Sequence, residues 1–306
     1  MIKIESYTTE FEEIYWKTVQ GKVSSNTQDY ILNSSLKFMP GDFWNGATPT
    51  FKELILAPFE KLKKAQRYIV EDPQRSRIME RECCLQTGGL NCYYQELVDA
   101  YKRTADSVSK GYSIRVRIVN NSGLTVCPYC NRDYINYREK SISGAQLDHF
   151  FSKLVYPLFA VCLYNLVPVC GNCNRVKSNQ AVEFASPFDE TIDWEKDLTF
   201  HYESDVNNMP KIVIRSKHVA IQNNIRNMRI EEAYQIHTAE VEELFEKKRI
   251  YSQTQQQEFQ EVLYKINLSE QEIKLAVFGP KITRDILGKK PLGKMMSDLH
   301  KKLEIY

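Results

Sequence analysis

The sequence predicts an α+β protein, mainly helical, with a short strand-bearing segment at its centre. Three observations predict this. Apolar residues recur at helical spacing through much of the first hundred residues and again from about Val219 onward. Strand-period alternation is confined to brief stretches between these regions. Two Cys-x-x-Cys pairs, Cys127/Cys130 and Cys170/Cys173, bracket the middle of the chain with 39 residues between them (131–169). The expected division is an N-terminal helical region at 1–111, a central unit at 112–190 holding both pairs, and a hairpin with further helices at 191–306.

Taken in order, "TPTFKELILAPFEKLKKAQRYIV" is a helical run that Pro58 kinks or divides. "NCYYQELVDAYKRTADSVSKGY" predicts a helix ending near Gly111. "YSIRVRIVN" then reads as a strand, with Ile114, Val116 and Ile118 on one face and Arg115 and Arg117 on the other. "NNSG" marks a turn, "DYINYR" a further strand and "SISG" another turn. The weakly charged run Leu154–Cys170 is too short for a membrane span and is broken by Pro157, Asn165 and Pro168, so it reads as buried core. "GNCNRVKS" suits the opening of a short helix. "DLTFHYESDVNNMPKIVIRS" reads as a hairpin turning at Asn207, Asn208 and Pro210. Ser269 and Glu272 form a capping-box signature for a helix that stops at Gly279-Pro280.

Composition is that of a soluble globular protein, 42% hydrophobic and 26% charged. "MIKIESYTTEFEEIYWK" lacks the apolar core of a signal peptide, which points to the cytoplasm and no membrane. In a reducing compartment, eight cysteines fit metal binding and burial better than disulfides. Cys83, Cys84 and Cys92 lack ligand spacing and read as ordinary buried cysteines. Net charge is only +2, but Lys102–Lys177 holds eleven Lys/Arg against four Asp/Glu. That basic stretch fits either a phosphate-bearing partner or a solvated face.

A Cys-x-x-Cys turn brings two sulfurs to one side, and two such turns complete the tetrahedral shell of Zn²⁺. With four thiolates no position is left open for water, so a zinc held by Cys127, Cys130, Cys170 and Cys173 is expected to be structural. Between the pairs lies "QLDHFFSK", where Asp148 adjoins His149, one of only five histidines.

"LDHFFSK…NLVPVCGNCNRVK" resembles the HNH nuclease motif: Asp-His at a strand end, Asn in a loop, then Cys-x-x-Cys-Asn opening a helix. The match covers residues 124–179. It implies a ββα-metal core stapled by a four-cysteine zinc. It also implies His149 as general base, Asp148 and Asn174 as ligands of a catalytic Mg²⁺ or Mn²⁺, and Asn165 as the residue orienting the base and its loop. Two positions depart from the common pattern: Asn174 stands where a final His is usual, and Ser152 where Pro is often found. The resemblance further implies single-metal hydrolysis leaving 5′-phosphate and 3′-hydroxyl ends. It extends to HNH effectors of bacterial anti-phage systems, of the Septu type and retron-linked, which work beside an ATPase.

A neutral imidazole can accept a proton from water at cellular pH, and a hard cation can neutralise charge on the phosphate and leaving oxygen. Arg115, Arg117, Arg132 and Arg138 are candidate contacts to a DNA backbone. Lys153 and Lys177 could also contact phosphate, although solvated lysines are the simpler reading. His201, His218, His237 and His300 fit no ligand pattern. Two rival functions stand beside a DNA endonuclease: a zinc-stabilised nucleic-acid- or protein-binding module with an inactive site, and a nuclease directed at RNA. "RIEEAYQIHTAEVEELFEKKRIY" could pack on a partner, or could serve the chain's own core.

Overall fold

The computed structural model describes residues 1–46, 48–83, 91–180, 182–204, 210–251 and 269–306. The side chain of Cys83, all of Cys84, the hairpin residues Asn207 and Asn208, and all of "SQTQQQEFQ" lie outside the described residues.

Helices dominate, with three small antiparallel two-stranded sheets. The N-terminal part comprises α1 (Thr9–Gln20), α2 (Ser25–Ser35), α3 (Phe51–Ile55), α4 (Phe59–Val70), α5 (Pro73–Cys83) and α6 (Cys92–Ala105). Pro58 divides α3 from α4 and stands at the N-cap of α4. Phe59, Leu62, Ala65 and Ile69 of α4 are buried at helical spacing. α6 ends at Ala105, six residues short of Gly111, and a two-residue ribbon follows, β1 (Val108–Ser109) with β2 (Tyr112–Ser113). Cys92, at the start of α6, is exposed rather than buried.

The alternating stretch after Ser113 is a helix, not a strand: α7 (Ile114–Asn121). Ser113 caps it, its hydroxyl accepting from Val116 N–H. Ile114, Val116, Ile118 and Val119 are all buried, so this helix is covered on more than one side. A short helix buried that way carries apolar residues around its circumference, and its sequence can imitate a strand. "DYINYR" forms no strand either. Asn131 takes a left-handed φ of 52°, and the chain folds back on the first cysteine turn. Cys127 N–H reaches Asp133 O, Ile135 N–H reaches Thr125 O, and strand-like pairing is limited to the single bridge Val126–Tyr134.

β3 (Gln146–His149) pairs antiparallel with β4 (Leu166–Val169), placing Asp148 opposite Val167 and His149 opposite Leu166. α8 (Gly171–Lys177) follows directly, so strand, strand and helix occur in sequence across the two cysteine pairs. The run between the strands is core from Pro157 on, while Leu154 and Val155 are exposed.

Downstream, β5 (Thr199–Ser204) and β6 (Pro210–Arg215) form the expected hairpin, with Phe200, Ile212 and Ile214 buried. Then come α9 (Val219–Asn227), α10 (Ile230–Tyr234), α11 (Thr238–Ile250), α12 (Glu270–Phe278), α13 (Arg284–Leu287) and α14 (Gly293–Lys302). Ser269 and Glu272 make the reciprocal capping box at α12. Tyr234, Val241 and Leu244 are buried, so that apolar stripe serves the chain's own core.

Buried apolar side chains form one cluster running from Met1 to Ile305. The first cysteine turn is tied to distant parts of the chain by hydrogen bonds. Asn131 is wholly buried and bonds Leu287 O, Lys290 O and Lys294 N–H, Tyr234 Oη donates to Cys130 O, and Ile2 N–H donates to Pro128 O. Among the described residues, no helix is long and apolar enough to cross a membrane.

Candidate active site and metal centre

The four sulfurs predicted to share an ion do converge. Cys127, Cys130, Cys170 and Cys173 are buried, unbridged, and have ligand atoms within 4.8 Å of one another. Four Zn–S bonds of about 2.3 Å in a tetrahedron require sulfur–sulfur edges of about 3.8 Å. The Cys130–Cys170 separation is 4.0 Å. Backbone amides support the sulfurs, Arg132 N–H on Cys130 and Cys173 N–H on Cys170, each at 3.4 Å. The thiols also perturb one another. Hydrogen bonds from the other three hold Cys130 far below the ordinary thiol value, while burial pushes Cys127 up. The cluster could therefore hold a metal ion such as zinc, and its donor set fits one.

Asp148, His149 and Asn174 line one cleft of about 490 Å³, together with Gln146, Ser152, Asn179, Tyr101, Arg115 and Lys153. The strand alternation separates their duties. Gln146 and Asp148 point to the face that α8 covers, where Gln146 Oε1 accepts from Asn174 Nδ2 at 2.7 Å and Asp148 meets Lys177. His149 lies on the other face, its ring edge-on to Tyr101 at 4.3 Å. Its Nε2 is 3.0 Å from Ala160 O. Because a carbonyl oxygen only accepts, Nε2 carries the proton and Nδ1 of the neutral ring keeps its lone pair. Burial, then the charge of Lys153, push the imidazole down to about 3 against the Ala160 hydrogen bond, so the ring is neutral at neutral pH.

Asn165 is fully buried beneath this loop. Its Oδ1 accepts from Phe151 N–H at 2.8 Å, and its Nδ2 donates to Phe151 O and Phe159 O at 3.1 and 3.0 Å. It therefore clamps the 150–160 segment that supplies the carbonyl partner of His149. Its side-chain hydrogen bonds all go to backbone groups.

The Asp148 carboxylate is 5% exposed and already engaged at both oxygens. Tyr129 Oη donates to Oδ2 at 2.7 Å, and Lys177 Nζ lies 3.0 Å from the same oxygen and 3.3 Å from Oδ1. Lys177 is thus no solvated lysine and is not presented to a phosphate. It is 3% exposed and also donates to Phe150 O and His149 O. Tyr129 holds Oδ2 and the Lys177 ammonium reaches both oxygens, hydrogen-bonding Oδ1, so neither oxygen of Asp148 is without a partner. Nothing among the described residues donates to Asn174 Oδ1. Carboxylate and amide oxygens are the donor type that a hard cation such as Mg²⁺ or Mn²⁺ takes, and on Asp148 such an ion would share the carboxylate with Lys177.

No family model, curated protein or solved structure matches the chain.

The basic candidates divide by position. Arg115 and Lys153 line the cleft, Arg115 paired with Asp106 at 3.1 Å and Lys153 seated over the Tyr101 ring. Arg117 is turned onto Ser109 O. Arg132 donates to His237 Nε2 and lies over Tyr234, away from the cleft residues. Arg138 is exposed outside the cleft lining. The sequence reading missed Tyr129, Gln146, Tyr101 and the inward turn of Lys177. Two signals were present: Gln146 lies two residues before Asp148 on one strand face, and Lys177 three after Asn174 on a short helix.

Proposed function

We propose that this chain is a metal-dependent endonuclease of the HNH type that hydrolyses phosphodiester bonds in DNA, with the four-cysteine cluster as a structural zinc site. One observation carries the reading. Asp148, His149 and Asn174 meet in one cleft rimmed by Arg115 and Lys153, on a strand pair and helix whose junction, Cys170, belongs to the sulfur cluster.

Arg115 and Lys153 would attract the phosphodiester into the cleft. His149 Nδ1 would take the proton of the attacking water, while the Ala160 carbonyl keeps the opposite nitrogen protonated and fixes the ring plane. Bound phosphate beside Lys153 would offset the charge that now lowers the imidazole, making it a stronger base when substrate is present. Asn165 would hold the loop without touching substrate. A hard divalent cation on Asp148 and Asn174 would neutralise charge on the phosphate and on the leaving oxygen. Through the resemblance, the proposal extends to cytoplasmic anti-phage defence beside an ATPase partner.

The test is cleavage of supercoiled plasmid with Mg²⁺ or Mn²⁺, comparing the parent with His149→Ala. Nicking by the parent and its loss in the variant are expected. Equal nicking by both, or by neither, overturns the enzymatic reading. Cleavage of RNA alone would move the substrate class.

A further inference from the structure

We infer that Tyr101 is a positioning residue for both His149 and Lys153, so that α6 of the N-terminal helical region completes the catalytic cleft. This rests on the endonuclease reading and adds a residue the resemblance does not assign. Leu147 and His149 share one face of β3, opposite to the face that Gln146 and Asp148 turn to α8. Tyr101, in the second half of α6, lines the cleft and meets this strand. Its ring packs against the imidazole with centroids 4.3 Å apart at 70°. Its hydroxyl lies 3.5 Å from Leu147 O, at the limit of a hydrogen bond. Lys153 Nζ sits over the same ring, 4.6 Å from its centroid.

One aromatic ring therefore contacts both the base and a cation suited to phosphate. Lys153 fits that second role better than its neighbours. Arg115 is paired with Asp106 and Lys177 with Asp148. Lys153 Nζ is half-buried and has no ion pair or hydrogen bond among the described residues. Burial, then the charge of Lys102, disfavour its ammonium, and Asp99 only partly offsets them. An incoming phosphate would meet a cation short of counter-charge. A lysine free in solvent loses its rotamer freedom on binding, whereas one seated on a ring has lost part of it beforehand. The same ring limits the swing of the imidazole, which Ala160 O holds at Nε2. Nδ1 and Nζ are thus kept in one fixed relation, as a base and a phosphate anchor acting on the same bond must be.

Two measurements test this: affinity for a fluorescently labelled DNA duplex at fixed salt without added Mg²⁺ or Mn²⁺, and kcat for plasmid cleavage with the cation present. Tyr101→Leu removes the ring and should weaken binding about tenfold, the effect of one partly desolvated cation–ring contact. It should also lower kcat on the order of tenfold, through the misplaced imidazole. Tyr101→Phe keeps the ring and should rescue both. Lys153→Met should weaken binding, and adding Tyr101→Leu to it should cost no further affinity, because the two act through one contact. If the parent neither binds nor cuts DNA, the endonuclease reading fails and the inference falls with it. If the parent cuts, the inference alone fails on any of three results: unchanged affinity in Tyr101→Leu or Lys153→Met, losses that simply add, or an unchanged kcat in Tyr101→Leu. Should Tyr101→Leu not fold, pentafluorophenylalanine in place of Tyr101 keeps the ring's shape without its attraction for a cation. Weaker binding is then expected, and parental affinity overturns the inference.

Discussion

Removing the Asn165 side chain gives the most sharply defined expectation. In Asn165→Ala the Phe151 amide and carbonyl lose their side-chain partner, and the Phe159 carbonyl keeps only Cys162 N–H, at a site with no solvent exposure. Each lost bond costs on the order of 1 kcal/mol net, and more where a buried group is left unpaired, for a total of about 3–5 kcal/mol. Urea unfolding at pH 7 should show the midpoint falling by the corresponding amount with an unchanged slope. Asn165→Asp sharpens the test. An ionised carboxylate can accept from Phe151 N–H, but it confronts two carbonyl oxygens and needs a proton to donate to either. Its folded pKa is therefore raised above the unfolded value of about 4. Stability is retained below that pH and lost as pH rises through the folded pKa. A loss below about 1 kcal/mol in Asn165→Ala, or an Asp variant whose deficit does not grow with pH, would refute the clamp.

Other expectations concern separate parts of the molecule. Purified protein should carry about one zinc per chain, and Cys173→Ser should lose it together with a lowered melting temperature, as read by elemental analysis and calorimetry. A Cβ on Gly144 would run into the Asn136 carbonyl two residues before β3, so Gly144→Ala should cost about 1–3 kcal/mol in thermal or denaturant unfolding. His300 is 4% exposed, and neither ring nitrogen has a partner among the described residues. Burial, then the charge of Lys290, lower its pKa, so the unfolded chain binds the extra proton first as pH falls below about 6.5, and stability declines there. His300→Phe should flatten that decline between pH 7 and 5 in denaturant titrations, and an unchanged slope would contradict the assignment.

Much of the architecture was legible because local rules governed it. The division at Pro58, the hairpin built on Phe200, Ile212 and Ile214, and the Ser269–Glu272 cap each depend on residues a few positions apart. The Ile114–Asn121 helix was misread because three alternating apolar residues satisfy a strand equally well, and what distinguishes them is how many sides are covered. Lys177 was misread for a related reason. Its charge predicts solvent, and only a carboxylate and two carbonyls placed 27 to 29 residues away in sequence reverse that.

By itself the sequence determined the cysteine quartet, the adjacent acid and imidazole, and the order of the motif residues, since ligand spacing and residue chemistry are written along the chain. Tertiary structure alone decided which groups engage the Asp148 carboxylate, which nitrogen of His149 is bonded, and which basic side chains reach the cleft. Those outcomes depend on groups far apart in sequence, such as Tyr129 with Asp148 and His149 with Ala160. A hydrogen bond is fixed by distance and direction in space, and a one-dimensional string does not carry either.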